Sequence, residues 1–359
     1  MSSFSLDEQR KWLSLSGYIL VDAALVIALR YCTLLSNPDE LYITSTAVVF
    51  SEQLKMFFSL LMCLVFEAGG DAKKFIEILK RAFVDGNGTS DMMKLLVPAV
   101  LYTIQNNLQY VIETAPLFQV LYNLKFVSTA FFYTLMLSRR INYREWLSIV
   151  ALVIGVGMVQ GSQRDIHPHH AQNIIGLVAV FCACCTSGLG GILFEKILKS
   201  SLSSIWIINI QLSLLSTFLS FAECLIKDGE EISKHHFTRG YNIYAIIVVL
   251  LQAIVGLMVA LVVKYSDNIY KGFATSCSII FACIIEVNLF HDTTVKIESF
   301  TIGSFIVLLS TVVFLMNMHR ANAIYVKPST TTTKNVISIA VEDNTLKEKE
   351  RNPWLKWLA

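Results

Sequence analysis

Long apolar runs separated by short polar stretches dominate the chain. About 20 apolar residues in helical conformation cross the roughly 30 Å hydrocarbon core of a membrane, so each run is a candidate membrane-spanning helix. The windows lie at about 13–33, 42–66, 94–112, 116–137, 145–162, 174–195, 204–226, 242–263, 270–290 and 299–318. The pattern predicts an all-α membrane protein with ten transmembrane helices.

The third window is the most polar of the ten. Gln105, Asn106, Asn107 and Gln109 interrupt its apolar run. Side chains of this kind are not stable against lipid, because nothing there satisfies their hydrogen bonds. We therefore expect this segment to line a cavity or a protein interior.

Composition supports the membrane prediction and excludes several functions. Of the 359 residues, 54% are hydrophobic and only 16% are charged, which is far from the soluble average. The net charge of +2, with its basic residues scattered, predicts no nucleic-acid partner. We find no phosphate-binding Walker loop, nucleophile elbow or metal-binding carboxylate pair, so the sequence predicts no enzyme, no catalytic residues, no metal and no cofactor. Most of the eight cysteines lie in apolar windows, where they act as small hydrophobes.

The distribution of basic residues predicts the orientation. With ten crossings both termini lie on one side, and the short loops of that side carry about fifteen Lys and Arg residues against about five opposite. The termini are therefore expected in the cytosol. The predicted organisation is a cytosolic N-terminus (1–12), a first five-helix half (13–162), a loop on the opposite side (163–173), a second half (174–318) and a flexible cytosolic tail (319–359). The sequon at Asn87 then lies in a cytosolic loop and is expected to carry no glycan.

A short repeat relates the two halves. Residues 125–129 (KFVST) and 271–275 (KGFAT) can be aligned on Lys125 and Lys271, and each is followed by an apolar helix, a polar hairpin and a further helix containing Gly155 or Gly303. A second copy of five helices must enter the membrane in the opposite sense, because five is odd. The alignment favours two inverted five-helix repeats, with a substrate held between them.

The two aligned lysines are the main candidate site residues. A lysine in an apolar helix is costly unless it snorkels to the interface, pairs or faces water. Snorkelling would explain either lysine alone. Two lysines at matching positions, each followed one turn later by a threonine (Thr129 or Thr275), favour a pair of cations that bind one anion such as a phosphate.

Further polar residues can supply selectivity. Tyr102, Gln105 and Asn106 share one helical face and could stack on a base and read its edge, or the amides could only join helices. Glu52 and Lys55 are either a structural ion pair or part of the substrate site. Tyr122 and Asn209 are weaker candidates of the same kind, as is Gln211. Ser187, Gly188, Gly190 and Gly191 are most simply small residues for close helix packing, although glycine also admits a substrate to the backbone. The loop histidines His167, His169 and His170 could bind metal, but a polar loop is the simpler interpretation.

Several motifs resemble those of the Golgi nucleotide-sugar transporters that carry UDP-galactose, UDP-N-acetylglucosamine or CMP-sialic acid. They are residues 96–110 (LVPAVLYTIQNNLQY), 118–125 (FQVLYNLK), 194–199 (FEKILK), 209–211 (NIQ) and 263–275 (VKYSDNIYKGFAT), and the resemblance covers about residues 13–318. It implies the ten-helix drug/metabolite transporter fold, a Golgi membrane location with its lipids, and exchange of a cytosolic nucleotide sugar for a luminal nucleoside monophosphate.

The resemblance also implies roles for individual residues. Tyr102, Gln105 and Asn106 are similar to nucleobase and ribose contacts, and Lys125 and Lys271 to phosphate contacts. Tyr122, Ser187, Gly188 and Asn209 are similar to further cavity residues. The chain departs from the family in two places: the segment 111–117 is about three residues shorter than usual, and Ile208 stands where members commonly have Arg.

The expected function is therefore a nucleotide-sugar antiporter that moves UDP-galactose, UDP-N-acetylglucosamine or UDP-N-acetylgalactosamine into the Golgi lumen in exchange for UMP. The alternatives are a CMP-sialic acid transporter, a carrier of another organic anion, an integral-membrane transferase and a non-transporting scaffold. Partner proteins could be a second copy of the chain or Golgi glycosyltransferases. The sequence does not choose among the nucleotide sugars.

Overall fold

The computed structural model describes residues 6–35, 42–84, 86–113, 120–137, 141–162, 174–290 and 296–325. Within these ranges the chain is helical and contains no strand. The α-helices are α1 Leu6–Leu35, α2 Thr44–Met62, α3 Ala72–Val84, α4 Gly86–Glu113, α5 Lys125–Met136, α6 Tyr143–Ser162, α7 Ile174–Ser200, α8 Ile205–His235, α9 Ile243–Tyr265, α10 Asn268–Phe290 and α11 Ile297–Tyr325. A π-helical turn, Cys63–Glu67, continues α2, and a 3₁₀ turn, Tyr122–Leu124, leads into α5.

Eight helices in the described ranges are long and apolar enough to span a membrane: α1, α2 and α6 to α11. The two other predicted crossings correspond to α4 and α5. Helix α4 has 28 residues but carries the polar face noted above, and α5 has only 12 residues. The all-α membrane architecture is thus confirmed.

Helix α3 is an additional element that the hydropathy windows did not predict. Its apolar side, which includes Phe75, Ile78 and Leu79, packs against Cys63 and Ile207. Its opposite side exposes the lysines and arginine of residues 72–84. A short helix with one apolar and one basic face is typical of the membrane interface, and a search for 20-residue apolar runs overlooks it.

Helix boundaries follow local capping chemistry. The side chain of Ser204 accepts a hydrogen bond from the Ile207 amide at the start of α8, and Asn242 accepts one from the Ala245 amide at the start of α9. Each supplies a partner for a backbone donor that a helix N-terminus leaves unpaired. At the start of α6 the Glu145 carboxylate accepts from the Asn142 amide at 2.9 Å. These caps fix where consecutive helices turn back.

The main packing contacts join helices from the two halves of the chain. They are α1 with α9 and α10, α2 with α8 and α9, α4 with α7 and α8, α5 with α7, and α6 with α11. The α6–α11 pair crosses closely: a Cβ added to Gly303 would lie 2.8 Å from the Gly155 carbonyl oxygen, and one added to Gly155 would lie 3.0 Å from the Gly303 oxygen. Only glycines permit this approach of the two backbones.

Helices α1 and α10 run parallel to one another. Tyr18 and Thr275 share a hydrogen bond of 2.9 Å, and Ser278 donates to Asp22 at 2.5 Å. Two turns further along α1, the Arg30 guanidinium lies 2.8 Å from a carboxylate oxygen of Glu286. Residue numbers increase together on both helices, so this pair is joined along its length by polar contacts.

Each end of the bundle has its own polar network. At one end, called here the Lys199 end, Glu195 accepts from Lys199 at 2.6 Å and from the Asn268 amide at 2.9 Å. Lys199 also donates to the Ser266 carbonyl at 2.6 Å, and Lys11 lies 3.5 Å from the ring centroid of Tyr270. These contacts join α1, α7 and the α9–α10 turn.

The opposite end, called here the Asp228 end, is joined by hydrogen bonds between the two halves. Ser45 donates to Asp228 at 2.5 Å, and Thr46 and Tyr241 share a hydrogen bond of 3.0 Å. These bonds link the start of α2 to the end of α8 and to the turn before α9.

Candidate functional site

A cavity of about 300 Å³ lies between the two halves. Its walls come from α2, α4, α7, α8, α9 and α10. The lining combines apolar residues with a set of polar ones: Ser51, Glu52, Lys55, Tyr102, Thr103, Gln105, Asn106, Asn209, Ser216, Ser220, Gln252 and Lys271. A mostly enclosed pocket with a few convergent polar groups is the usual form of a small-molecule site.

The polar face of α4 points into this cavity. Tyr102, Gln105 and Asn106 all line it, as their spacing at i, i+3 and i+4 predicts. Gln105 donates from Nε2 to the Tyr122 hydroxyl at 2.8 Å, while its Oε1 is buried with no hydrogen-bond partner among the described residues. A buried acceptor of this kind is costly to leave unmet, so it is suited to a ligand donor.

Glu52 and Lys55 form an ion pair on the wall of the same cavity. The Lys55 amine lies 2.6 Å and 2.7 Å from the two carboxylate oxygens of Glu52, and the side chains are 10% and 19% exposed for Lys55 and Glu52 respectively. The lysine stem crosses Gly256 of α9, where an added Cβ would meet Lys55 Cδ at 2.8 Å. The pair is therefore both internally neutralised and accessible to a solute in the cavity.

Lys125 lies behind the α4 face rather than in the lining described above. It begins α5, directly after the 3₁₀ turn that contains Tyr122, and its amine lies 4.3 Å from the Tyr122 ring centroid. The Tyr122 hydroxyl is also near the Ser187 side chain of α7. The Gln105–Tyr122–Ser187 contacts thus connect Lys125 to the cavity wall.

The two aligned lysines have closely similar local structures. Thr129 donates to the Lys125 carbonyl at 2.8 Å, and Thr275 donates to the Lys271 carbonyl at 3.0 Å. Lys125 and Lys271 are near enough for their charges to interact electrostatically, and each also interacts with the carboxylate of Asp22. Within the described ranges, no carboxylate lies within the 4 Å ion-pair distance of either amine. The structure thus brings both lysines to one region.

The small residues of α7 pack closely against other helices. A Cβ on Gly188 would lie 2.5 Å from Ser128 Oγ, and one on Gly191 would lie 2.2 Å from the Asn268 side chain. Gly190 faces the Tyr102 ring at 3.2 Å. Gly188 and Gly191 therefore fit the packing interpretation, while Gly190 supports the position of a cavity residue.

The two candidate site residues on α8, Asn209 and Gln211, lie in different surroundings. Asn209 lines the cavity, and its side chain donates to the Ile205 carbonyl at 3.0 Å. Gln211 instead donates to the Ala82 carbonyl of α3 at 2.7 Å, which joins α3 to the bundle. Ile208, at the position of the family's common Arg, is fully buried in an apolar cluster.

Some sequence predictions fall outside the residues that the structure describes. They concern the loop histidines His167, His169 and His170, most of the shortened segment 111–117 and the tail beyond 325. The side chain of Asn87 also lies outside the description.

The sequence analysis missed Asp22 and Gln252. Both are polar residues inside otherwise apolar windows, which is the same signal that singled out the third segment. Gln252 lines the cavity from α9, and Asp22 approaches both lysines from α1. Gly256 was missed because a glycine in an apolar helix carries no chemical signal of its own.

Membrane-length helices that enclose a polar cavity, with two cations beside it, define a membrane carrier for a polar, anionic solute. The comparisons with known proteins give the family. A family model described as "Nucleotide-sugar transporter" matches residues 6–315, and the chain belongs to this family.

Relatives with assigned names agree with the family match. The chain is similar to a UDP-N-acetylglucosamine transporter of Homo sapiens, with 40% identity over 313 residues, which covers 85% of this chain and 94% of the relative. It is 39% identical over 319 residues to a UDP-N-acetylglucosamine/UDP-N-acetylgalactosamine transporter of Caenorhabditis elegans, covering 85% and 93%. It is 38% identical over 295 residues to a UDP-galactose translocator of Bos taurus, covering 80% and 74%.

A double-mutant cycle separates the two interpretations of the Glu52–Lys55 pair. Lys55→Met leaves the carboxylate buried and unpaired, so we expect it to lower the thermal unfolding midpoint in detergent by several degrees. Glu52→Gln combined with Lys55→Met should recover most of that stability because no charge is left alone. Nucleotide-sugar uptake into proteoliposomes should stay low in the double variant, since the pair lines the cavity. Recovery of uptake together with stability would assign the pair to structure alone.

Proposed function

We propose that the protein is a nucleotide-sugar antiporter that carries a UDP-sugar from the cytosol into the Golgi lumen in exchange for UMP. The observation that carries this proposal is the placement of Lys125 and Lys271, one from each half, beside a cavity that also presents the polar face of α4. UDP-N-acetylglucosamine, UDP-N-acetylgalactosamine and UDP-galactose are the substrates to consider first, because relatives of similar identity carry these names.

In the proposed binding mode the two ends of the nucleotide meet different groups. The base and ribose lie against Tyr102, Gln105 and Asn106, where the ring can stack and the unpaired Gln105 oxygen can accept a donor from the base. The phosphates lie near Lys271 and Lys125, and Tyr122 and Ser187 keep Lys125 oriented. The sugar extends toward Glu52, Lys55 and Asn209, whose groups can bond to hydroxyls.

The proposed scaffold is ten crossings arranged as two inverted repeats. Helices α4 and α5 supply the two crossings beyond the eight of sufficient length and hydropathy, and α3 lies at the interface. The helix contacts support the repeat. In the proposed repeat α1, α2, α4, α5 and α6 correspond to α7, α8, α9, α10 and α11. Exchanging corresponding helices turns the α1–α9 contact into α7–α4, α1–α10 into α7–α5, and α2–α9 into α8–α4, and all of these contacts are present. The α2–α8 and α6–α11 pairs exchange with themselves. A two-fold axis in the membrane plane has this consequence.

The proposed mechanism is alternating access, and the contacts at the two ends of the bundle support it. At the Lys199 end the two halves are joined by Lys11, which lies 3.5 Å from the Tyr270 ring centroid, and by Ser201, which donates to Asp91 at 2.5 Å. The cavity extends toward the Asp228 end, where Val48 and Ser220 line it. With cytosolic termini, as the basic residues of the short loops favour, this is a state closed toward the cytosol. Breaking the Lys11–Tyr270 and Ser201–Asp91 contacts and strengthening the contacts at the Asp228 end would give the opposite state.

Exchange is the direct test of this function. Purified protein in liposomes preloaded with UMP should accumulate UDP-N-acetylglucosamine or UDP-galactose several-fold faster than in empty liposomes, because the empty carrier lacks the phosphate that balances its cations and reorients slowly. A panel of UDP-sugars, CMP-sialic acid and other phosphate esters identifies the cargo. CMP-driven uptake of CMP-sialic acid would replace the uridine assignment, and no uptake of any nucleotide sugar would contradict the proposal.

The phosphate roles predict the behaviour of two lysine variants. Lys125→Ala and Lys271→Ala should each abolish uptake while keeping expression and thermal stability near wild type, because each loses one charge-assisted contact to the phosphates. Lys234→Ala is the control, since that lysine is 68% exposed near the end of α8. Near-normal uptake in the two site variants would reject the roles, as would an equal loss in the control.

A further inference from the structure

A carboxylate accompanies the two lysines, and the function proposed above gives it no task. Asp22 lies in the middle of α1, with apolar residues on both sides of it in the sequence. An acidic residue in such a window is expensive and usually functional. Among the described residues, Asp22 is the carboxylate whose charge interacts with both Lys125 and Lys271.

The position of Asp22 is fixed by the parallel α1–α10 pair. Lys271, Thr275 and Ser278 follow one another at i, i+4 and i+7, so they form one stripe on α10. Tyr18 and Asp22 form the facing stripe on α1, with Tyr18 bonded to Thr275 and Ser278 donating to Asp22 at 2.5 Å. Ser278 is fully buried, so this contact is shielded from water.

Ser278 holds the carboxylate near the lysines but short of contact with them. No ion pair within 4 Å joins Asp22 to either lysine in the described ranges. A direct ion pair would occupy the amine that a phosphate needs. A carboxylate at longer range still offsets part of the positive charge and leaves the amine free to bind.

In the matching pair of the other half, α5 and α7, no carboxylate of the described residues interacts with either lysine. Helix α5 packs on α7, and there Gly188 faces Ser128 and Thr129 in close contact. The two lysines have similar surroundings on their own helices, yet among the described residues the carboxylate that interacts with both comes from α1. The site is therefore asymmetric in charge, and Asp22 is the source of the asymmetry.

We propose that Asp22 is an internal counter-ion for Lys271 and Lys125. Its negative charge offsets part of the positive charge that attracts the phosphate of the substrate. In the empty carrier it partly neutralises the two cations. In the loaded carrier it repels the phosphate, which weakens binding and favours release. This inference rests on the proposed nucleotide function, and it adds a positioning residue that sets affinity for the charged part of the ligand.

The test compares a charged ligand with its uncharged counterpart. Binding of UMP and of uridine is measured by calorimetry on purified protein at about pH 6.5, well below the usual pKa of a lysine amine. Asp22→Asn removes the charge and keeps a hydrogen-bond partner for Ser278. We expect UMP to bind about tenfold more tightly, from the loss of one repulsive charge at medium range, and uridine to bind unchanged.

Glu145→Gln is the matched control. It neutralises another buried carboxylate, keeps an acceptor for the Asn142 amide, and lies at the start of α6 with no described interaction with either lysine. It should leave UMP affinity unchanged. If Asp22→Asn does not fold, Asp22→Ser serves the same test, because it also removes the charge and keeps a hydroxyl for Ser278.

Each outcome decides the matter. Equal UMP affinity in wild type and the Asp22 variant, weaker UMP binding, or equal changes for UMP and uridine would overturn the inference. A comparable gain in Glu145→Gln would do the same. Wild-type protein that binds neither UMP nor CMP would overturn the proposed function and this inference together, whereas nucleotide binding insensitive to Asp22 would overturn this inference alone.

Discussion

Two amines close to each other inside a membrane protein are the constraint on which the structure depends. Two like charges that interact at short range repel each other, and burial adds a further cost. The fold tolerates this in Lys125 and Lys271 through the aromatic face of Tyr122 and the charge of Asp22. An anionic ligand is the partner that would remove the remaining cost, which links the stability of the site to its proposed cargo.

Two helix pairs, α6–α11 and α1–α10, are closely joined. Glycines allow α6 and α11 to cross closely, and the α1–α10 pair is joined by three polar contacts along its length. Helices α2, α4, α8 and α9 contribute most of the cavity lining. Movement that exposes the cavity to one side and then the other must act on the polar networks at the two ends. The Glu195–Lys199 pair lies within the second half and its carboxylate is fully buried, so it is costly to break and stabilises that half.

Much of this could be predicted from the sequence. Apolar length predicted the helical membrane fold, and the spacing of Tyr102, Gln105 and Asn106 predicted that they share a face. The windows could not predict α3, because an interfacial helix has no long apolar run, nor that α5 would begin at Lys125. Contacts between residues far apart in the sequence could not be predicted either. Nothing in the spacing of Asp22 and Ser278, 256 positions apart, shows that α1 and α10 are neighbours.

The central claim is that one lysine from each half binds the same phosphate-bearing ligand. The most direct measurement is an experimental structure of the protein with UMP bound. The account predicts that the phosphate lies within hydrogen-bonding distance of both the Lys125 and the Lys271 amines, with the base against Tyr102 and Gln105. A phosphate bound elsewhere in the cavity, such as beside Lys55 with both aligned lysines free, would contradict it.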